Sequence, residues 1–354
     1  MHRIIHPGIA SALLAALLFG ASTPLAKLLI GHMAPAMLAG LLYLGAGIGL
    51  LAWFVTRRTF LRTSVADAHL TRNDLPWLVG AIACGGVLGP LLLMIGLSRT
   101  SAASASLLLN LEGVFTALLA WFAFHENVDR RIALGMALIT GGGLTLSWGG
   151  TPDMTQWLGP VAVIGACLCW ALDNNLTRRI SAADATQIAG IKGLTAGLVN
   201  LGIAYSLGNS FPGSALVFSA AVVGLLGYGV SLMLFIVALR HVGAARASAY
   251  FSLAPFCGAA LALTLLNEPV GATFWLAAVL MAAGIALHLS EHHAHAHSHE
   301  PLAHSHTHTH DAHHQHTHEN DDNGHEPHTH FHIHAPLLHS HPHYPDIHHR
   351  HTHS

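Results

Sequence analysis

Long apolar runs alternate with short polar connections up to about residue 290, after which the chain becomes polar and histidine-rich. Ten runs are long enough to cross a bilayer, which takes about 20 residues of helix. In lipid they must be helical, because a helix satisfies its own backbone hydrogen bonds. The predicted spans are residues 8–30, 34–56, 75–97, 102–124, 132–148, 157–177, 186–207, 215–239, 244–266 and 270–290.

The composition supports an all-α integral membrane protein. Hydrophobic residues make up 52% of the chain and charged residues 9%, whereas soluble domains carry about 25% charged residues. The formal net charge of −2 gives no indication of nucleic-acid binding. No nucleophile, phosphate-binding or zinc-protease motif is present, so we expect neither an enzyme nor a required cofactor.

Arginines indicate the orientation of the spans. If the N-terminus is cytoplasmic, the arginines of the membrane region fall at cytoplasmic ends or loops, with Arg99 as the exception. The positive-inside rule therefore predicts a multi-pass protein of the cell (plasma or inner) membrane. Ten spans would bring the C-terminus back to the cytoplasm.

The chain also contains an internal repeat at an offset of 142 residues, as between Glu126 and Glu268, each at the end of a span. The segments that begin at Phe19-Gly20 and Trp170-Ala171 match at a similar spacing. Each copy holds five spans, and an odd number inverts the second copy relative to the first. The predicted repeats are residues 8–149 and 156–290, followed by a tail over residues 291–354.

The repeat resembles the EamA type of the drug/metabolite transporter superfamily over residues 8–290. The resemblance rests on the run of small and apolar residues that ends in glutamate, the glycine-containing span that follows, and the aromatic–small start of each copy. It implies ten helices in two inverted five-helix repeats, a central cavity and alternating access. The first copy departs from the pattern, because Gly113, preceded by Glu112, stands where the second copy has Pro255.

Glu112 lies near the middle of the fourth span, where a carboxylate costs several kcal/mol and usually has a function or a partner. Gly113 and Pro255 weaken the two spans at corresponding depths, and such pairs indicate a midplane binding site. We expect Glu112 to face the cavity between the repeats and to bind a cationic group or exchange a proton. The alternative is a structural carboxylate that is hydrogen-bonded to a neighbouring helix.

Other polar residues of the spans are further candidates. Asn174 shares a helix face with Trp170, which suits an organic ligand. Lys192 could pair with Asp173 or contact a substrate anion, whereas Lys27 could simply reach the headgroups. The candidate substrate or coupling residues are Lys27, Asn110, Glu112, Gly113, Trp170, Asp173, Asn174, Lys192 and Pro255.

The tail holds most of the 32 histidines, together with prolines, acids and few apolar residues, which predicts disorder. Alternating histidines in an extended chain share one side, and neutral imidazole suits Zn²⁺, Ni²⁺, Co²⁺ and Cu²⁺. An incidental polar tail is the alternative to a metal-binding one. The candidate metal ligands are His304, His306, His308, His310, His328, His330, His332 and His334.

Three functions follow. The first is a secondary transporter that exports small organic metabolites or drugs, with a metal-binding regulatory tail. The others are a divalent-metal exporter whose tail collects metal, and a membrane-tethered metal store or sensor. The expected partners are the lipid bilayer and a small-molecule substrate, with divalent metal ions and a second copy of the chain as further candidates, and no nucleic acid.

Overall fold

The computed structural model describes residues 7–60, 72–124, 130–147, 154–180, 184–289, 294–299, 302–308, 328–334 and 337–342. The chain forms two units, Met1–Ser290 and Glu291–Ser354. In its described residues the first unit consists of helices and the second of strands. The predicted class, an all-α membrane protein, is confirmed for the first unit.

In the described ranges of the first unit, thirteen α-helices and two π-helical segments occur, with a 3₁₀ turn at Arg72–Asp74. The two π-segments, π1 and π2, both lie in the third span of their repeat. The elements are α1 (Pro7–Ile30), α2 (Pro35–Phe60), α3 (Leu75–Ala81), π1 (Ile82–Leu88), α4 (Gly89–Arg99), α5 (Ala102–Leu108), α6 (Leu111–Phe124), α7 (Arg130–Ser147), α8 (Met154–Arg178), α9 (Ala185–Ser206), α10 (Ser214–Gly224), π2 (Leu225–Val230), α11 (Ser231–Phe251), α12 (Ala254–Leu265) and α13 (Ala272–Leu289).

Helix occupies each of the ten predicted spans. Among the residues with described structure, seven segments are long and apolar enough to cross a membrane, judged by length and composition. Two shorter apolar helices lie at Ala254–Leu265 and Ala272–Leu287, and α7 lies at the fifth predicted span. The seven segments are Pro7–Ile30, Pro35–Arg57, Arg72–Arg99, Ala102–Leu119, Trp157–Thr177, Thr186–Ser206 and Ser214–Ala238.

Helix packing follows the repeat. The second span of each copy packs against the other, α2 on α9, and the fifth spans pair as α7 on α13. The contact of α4 with α8 has its counterpart in α11 with α1, and α6 with α8 corresponds to α12 with α1. Exchanging the two repeats therefore reproduces the pattern of contacts, as expected for a duplicated five-helix unit.

One predicted loop is wrong. Hydropathy predicts that the eighth span ends at residue 239 and the ninth begins at residue 244, but α11 runs unbroken from Ser231 to Phe251. The stretch is rich in alanine, leucine and arginine and contains no proline, so a single glycine does not end the helix. In the first repeat the corresponding chain leaves the helix at Thr100, whose ψ of 164° is extended.

The tail also differs from expectation. Its described residues form two antiparallel strand pairs, β1 (Ala294–His299) with β4 (Leu337–Pro342) and β2 (Leu302–His308) with β3 (His328–His334). Disorder over residues 291–354 as a whole stays a prediction. Over much of the length of these strands, histidine alternates with other residues such as serine, threonine, alanine, phenylalanine and isoleucine. This period of two fits an extended chain, and pairing satisfies the backbone groups.

The α2–α9 contact is close because glycines meet there. A Cβ atom on Gly193 would lie 2.9 Å from the Cα of Gly47 and 3.1 Å from the carbonyl oxygen of Tyr43. Both neighbours are backbone, which cannot move aside as a side chain can. Small residues at helix crossings are the usual means of close packing in lipid.

We predict that Gly193→Ala destabilises the protein by about 1–3 kcal/mol, because the added methyl meets backbone of α2. Gly202→Ala on the same helix is the matched control, since a Cβ there meets nothing within 4 Å. That control should be neutral or slightly stabilising through helix propensity. Thermal unfolding in detergent measures both, and equal midpoints would contradict the prediction.

Asp184 joins α2 to the start of α9. Its carboxylate accepts hydrogen bonds from the backbone N–H groups of Thr186 (2.8 Å) and Gln187 (3.1 Å) and forms an ion pair with Arg57. Burial alone would raise the pKa of Asp184, but these hydrogen bonds and the Arg57 guanidinium outweigh it and hold the pKa below its usual value. The cap and the ion pair thus favour the ionised carboxylate.

A lowered pKa in the folded state gives stability that is present above the unfolded pKa, about 3.9, and lost as pH falls through the lower folded value. We therefore predict that Asp184→Asn, which keeps the cap but not the charge, lowers stability at neutral pH by about 0.5–1 kcal/mol. It should also weaken the loss of stability below about pH 4. Unfolding of wild type and variant across pH checks this, and parallel pH profiles would contradict it.

Candidate functional site

The fourth span is interrupted close to Glu112. Helix α5 ends at Leu108 and α6 begins at Leu111, and the turn between them contains Asn110, which is buried. The Asn110 side-chain amide donates to the carbonyl of Leu107 at 2.9 Å and lies 3.7 Å from the sulfur of Met281. Asn110 therefore stabilises the break, and Glu112 is not among the described hydrogen-bond partners of its side chain.

The ninth span has the corresponding break at Ser252 and Leu253, just before α12. Gly113 and Pro255 therefore lie in the first turns of α6 and α12, and the interruptions precede them. The amides of a first helical turn have no intrahelical partner, so a proline there sacrifices no hydrogen bond. The paired interruptions exist, but their position differs from the one expected from the sequence.

Glu112 lies where the two repeats meet. One carboxylate oxygen, Oε1, accepts a hydrogen bond from Nδ2 of Asn174 at 2.9 Å, and the same amide is 3.4 Å from Oγ1 of Thr116. Glu112 is half-buried and Asn174 is exposed. In the part of the chain that the structure describes, Glu112 has no ion pair and its second oxygen has no hydrogen-bond donor.

Asp173 and Lys192 form an ion pair beside Glu112. Lys192 Nζ lies 2.5 Å from Asp173 Oδ1 and 3.1 Å from Oγ1 of Thr177, which itself donates to Asp173 at 2.9 Å. Both charged side chains are largely buried, with 13% and 15% exposed. The Asp173 carboxylate is also within electrostatic range of Glu112. This pairing is one of the two roles that the sequence left open for Lys192.

The π1 segment connects this cluster to three other spans. The carbonyl of Gly85 accepts hydrogen bonds from Nε1 of Trp170 (2.9 Å) and the hydroxyl of Tyr43 (3.1 Å). The next carbonyl, of Gly86, accepts one from Nδ2 of Asn200 at 3.1 Å. A Cβ atom on Gly85 would overlap the Asp173 carboxylate. The π-helical turn and its glycines thus allow the side chains of α8 to approach the π1 backbone closely. Such turns often occur at functional sites.

A row of aromatic rings extends from the same place. Tyr43 lies 5.4 Å from Tyr228, which lies 5.8 Å from Phe19, and Phe19 lies 5.4 Å from Phe251, between ring centroids. Tyr43 is within electrostatic range of both Glu112 and Asp173. The sequence prediction missed Tyr43, Tyr228 and Thr116, because an isolated tyrosine or threonine in an apolar span carries no signal of its own.

Lys27 lies apart from Glu112. Its ammonium donates to two backbone carbonyls at the end of α4, Leu97 at 2.5 Å and Thr100 at 2.8 Å. Glu268 caps the next helix, because its two carboxylate oxygens accept from the first two amides of α5 at 2.8 Å each. Together these two charged side chains hold the connection between α4 and α5.

A cavity of about 360 Å³ opens elsewhere in the first unit, between α2 and the π2–α11 region. Its lining is apolar and includes Gly49, Trp53, Leu225 and Met233, but none of the candidate residues. Among the described residues of the first unit, no three histidine, cysteine or acidic side chains are placed to hold a metal ion together. The candidate site is therefore defined by the side chains around Glu112.

Two matching five-helix halves that meet at a charged cluster inside an apolar bundle define a multi-pass membrane protein of the transporter class. The chain belongs to the EamA-like transporter family, whose model matches residues 6–148 and 157–290. The two matches coincide closely with the repeats expected from the sequence.

Related proteins agree with this assignment. The chain is 32% identical over 296 residues to an uncharacterized transporter of Methanothermobacter thermautotrophicus, a match that covers 78% of this chain and 84% of the relative. It is 25% identical over 286 residues to the uncharacterized transporter YyaM of Bacillus subtilis, covering 75% and 90%.

A shorter match and a solved structure add to the comparison. The chain is 42% identical over 71 residues, 20% of its length, to 61% of a probable 4-amino-4-deoxy-L-arabinose-phosphoundecaprenol flippase subunit, ArnE, of Pseudomonas fluorescens. A crystal structure that is 17% identical has a TM-score of 0.58 and covers 79% of this chain and 96% of its own. At that identity the likeness concerns the fold alone.

We predict that Lys192→Met destabilises the protein by about 3–5 kcal/mol, because it leaves the buried Asp173 carboxylate without a countercharge. The double variant Asp173→Asn/Lys192→Met removes both charges and should recover most of that loss. Thermal unfolding in detergent measures the three proteins. Equal destabilisation by the single and double variants would show that the ion pair does not matter.

Proposed function

We propose that this protein is a secondary transporter that exports small organic molecules carrying a cationic group, with Glu112 as the residue that receives the cation or a coupling proton. The single observation that carries the proposal is the Glu112 carboxylate, which lies at the contact between the repeats with an amide as its hydrogen-bond partner. A carboxylate without a countercharge at membrane depth usually marks the path of a substrate or a proton.

The neighbouring charges support a cationic rather than an anionic ligand. In the described membrane segments, Asp173 is paired with Lys192, and Lys27 is bound by two carbonyls and lies in electrostatic range of Glu268. This leaves Glu112 as the charge that a ligand can compensate. The nearby aromatic rings of the second and sixth spans suit an organic cation, which aromatic faces attract.

The contacts of the repeats support alternating access. Glu112 is in the first repeat and its partner Asn174 is in the second, so a movement of one repeat against the other would open or close the contact between them. The corresponding contact, α12 with α1, would move in the opposite sense, because the second repeat is inverted. The site would then face each side of the membrane in turn.

One relative adds chemical support for an amine. The partly matching flippase subunit is named for a lipid-linked 4-amino sugar. A protonated amine is a group that the Glu112 carboxylate would bind well. The match covers 20% of this chain, so it informs the class of ligand and not its identity.

We predict that Glu112→Gln abolishes export while leaving thermal stability unchanged or higher. Glutamine keeps the acceptor for Asn174 but removes a charge whose burial is unfavourable. Cells that lack competing exporters and express each variant are tested for resistance to a panel of organic amines, matched neutral compounds and metal salts. Glu112→Asp should retain part of the activity, and Gly141→Ala, where a Cβ meets nothing within 4 Å, is the neutral control.

The same cells test the alternatives. Resistance to amines that survives truncation after Ser290 and is lost in Glu112→Gln is the expected result. Resistance to metal salts that needs both Glu112 and the tail would replace the proposal with metal export. A metal effect that needs the tail but not Glu112 would point to a tethered metal store. A Glu112→Gln protein that is less stable would assign Glu112 a structural role.

A further inference from the structure

The side-chain amide of Asn174 uses one of its two ends. Its Nδ2 group donates to Oε1 of Glu112 at 2.9 Å and lies 3.4 Å from Oγ1 of Thr116. An ionised carboxylate only accepts hydrogen bonds, so the NH₂ end of the amide must face Glu112 and Oδ1 is the other end. Among the residues that the structure describes, no donor reaches Oδ1, and the Asn174 side chain is exposed. One acceptor of this amide is therefore open to a ligand.

The open acceptor lies next to two others. Thr116 follows Glu112 by four residues in α6, which places both side chains on the face that meets Asn174 of α8. Within the described part of the chain, no donor reaches the second carboxylate oxygen of Glu112, and the Thr116 hydroxyl has only its long contact with Asn174. Three oxygens from two repeats therefore lie close together with their acceptor capacity largely unused.

A negative charge with neighbouring acceptors matches a cation that donates several hydrogen bonds. A protonated primary amine has three N–H donors and no acceptor. Its bonds to a carboxylate are charge-assisted and short, at about 2.7–2.9 Å. A guanidinium fits less well, because its fork pairs with both oxygens of a carboxylate and Oε1 of Glu112 already accepts from Asn174. An ammonium needs one carboxylate oxygen and can direct its other N–H groups to Asn174 and Thr116.

A quaternary ammonium ion is a poor match for the same oxygens. It has no N–H group, so it would leave all three acceptors unpaired, and aromatic cages are the usual sites for such ions. The side chains of Trp170 and Tyr43 both donate to the carbonyl of Gly85, so the two rings approach from the π1 side and do not surround a cation. Trp170 is also only 7% exposed. These rings can attract a cation but do not replace the hydrogen bonds.

We propose that the site at Glu112 selects ammonium groups that carry N–H, primary amines above quaternary ions, and that Asn174 is the residue that determines this selectivity. Its Nδ2 orients the Glu112 carboxylate, and its Oδ1 accepts from the ligand. The inference rests on the proposed transport function and narrows its substrate class. Because Glu112 and Asn174 belong to different repeats, a bound primary ammonium would also link the two halves.

Calorimetric titration of the purified full-length protein in detergent at pH 7 tests the selectivity. Benzylamine, N,N-dimethylbenzylamine and benzyltrimethylammonium carry the same benzyl group and one positive charge, and benzyl alcohol is the neutral blank. Wild type should bind benzylamine at least about tenfold more tightly than benzyltrimethylammonium, because a site built for N–H donors rejects an analogue that lacks them. The dimethyl compound should lie between them. Equal affinities for the primary and quaternary ions would overturn the inference.

Variants test the assignment to Asn174. Asn174→Leu should weaken benzylamine binding about tenfold, the value of a hydrogen bond to a charged group, and leave benzyltrimethylammonium binding unchanged. Asn175→Leu is the matched control, because the next amide along α8 bonds its own helix at the carbonyl of Ala171 (2.9 Å), and it should keep wild-type selectivity. Equal effects of the two variants would contradict the role of Asn174. Thr116→Val should narrow the selectivity in the same direction and provides the test if Asn174→Leu does not fold.

Glu112→Gln separates this inference from the proposed function. If Glu112 receives the cation, this variant should lose binding of benzylamine and benzyltrimethylammonium alike. Wild type that binds both ions equally, with both lost in Glu112→Gln, would overturn the amine selectivity and leave the transport proposal standing. Cations that bind wild type and Glu112→Gln with the same affinity would overturn both.

Discussion

The main constraint on this protein is that lipid offers no hydrogen bonds to its backbone. Any break in a helix exposes amides and carbonyls that the protein must satisfy itself. Around α5 and π1, side chains from other parts of the chain do so. Lys27 and Glu268 bond the ends of α4 and α5, and Tyr43, Trp170 and Asn200 bond the carbonyls of π1. These polar residues inside the membrane are therefore mainly occupied in supporting irregular backbone.

Against this background Glu112 is unusual. Lys27 and Glu268 bond the backbone at helix ends, and the charges of Asp173 and Lys192 compensate each other. Glu112 has an amide partner and a second oxygen without a described donor. A carboxylate without a countercharge inside a membrane span costs stability, and such groups often mark functional sites. Glu112 and its partner Asn174 belong to different repeats, so a movement of one repeat against the other would change the surroundings of the carboxylate.

The sequence was sufficient for the spans, the five-helix repeat and the polar residues inside it, because hydropathy and matched positions such as Glu126 and Glu268 are local signals. It was insufficient for the arrangement of those residues. The roles of Gly85 and Tyr43 depend on contacts between distant spans. The helix across residues 240–243 followed from propensity that a hydropathy window ignores. The strands of the tail depend on a register between segments far apart in the chain.

Glu268 belongs to the second repeat, yet it supplies the hydrogen-bond acceptors for the first two amides of α5 in the first. A polypeptide that ended after residue 149 would lack both of these acceptors. The first repeat therefore depends on a side chain of the second to complete the hydrogen bonds at the start of α5. A change at Glu268 would for this reason be felt in the other half of the membrane domain, at the entry to the broken fourth span.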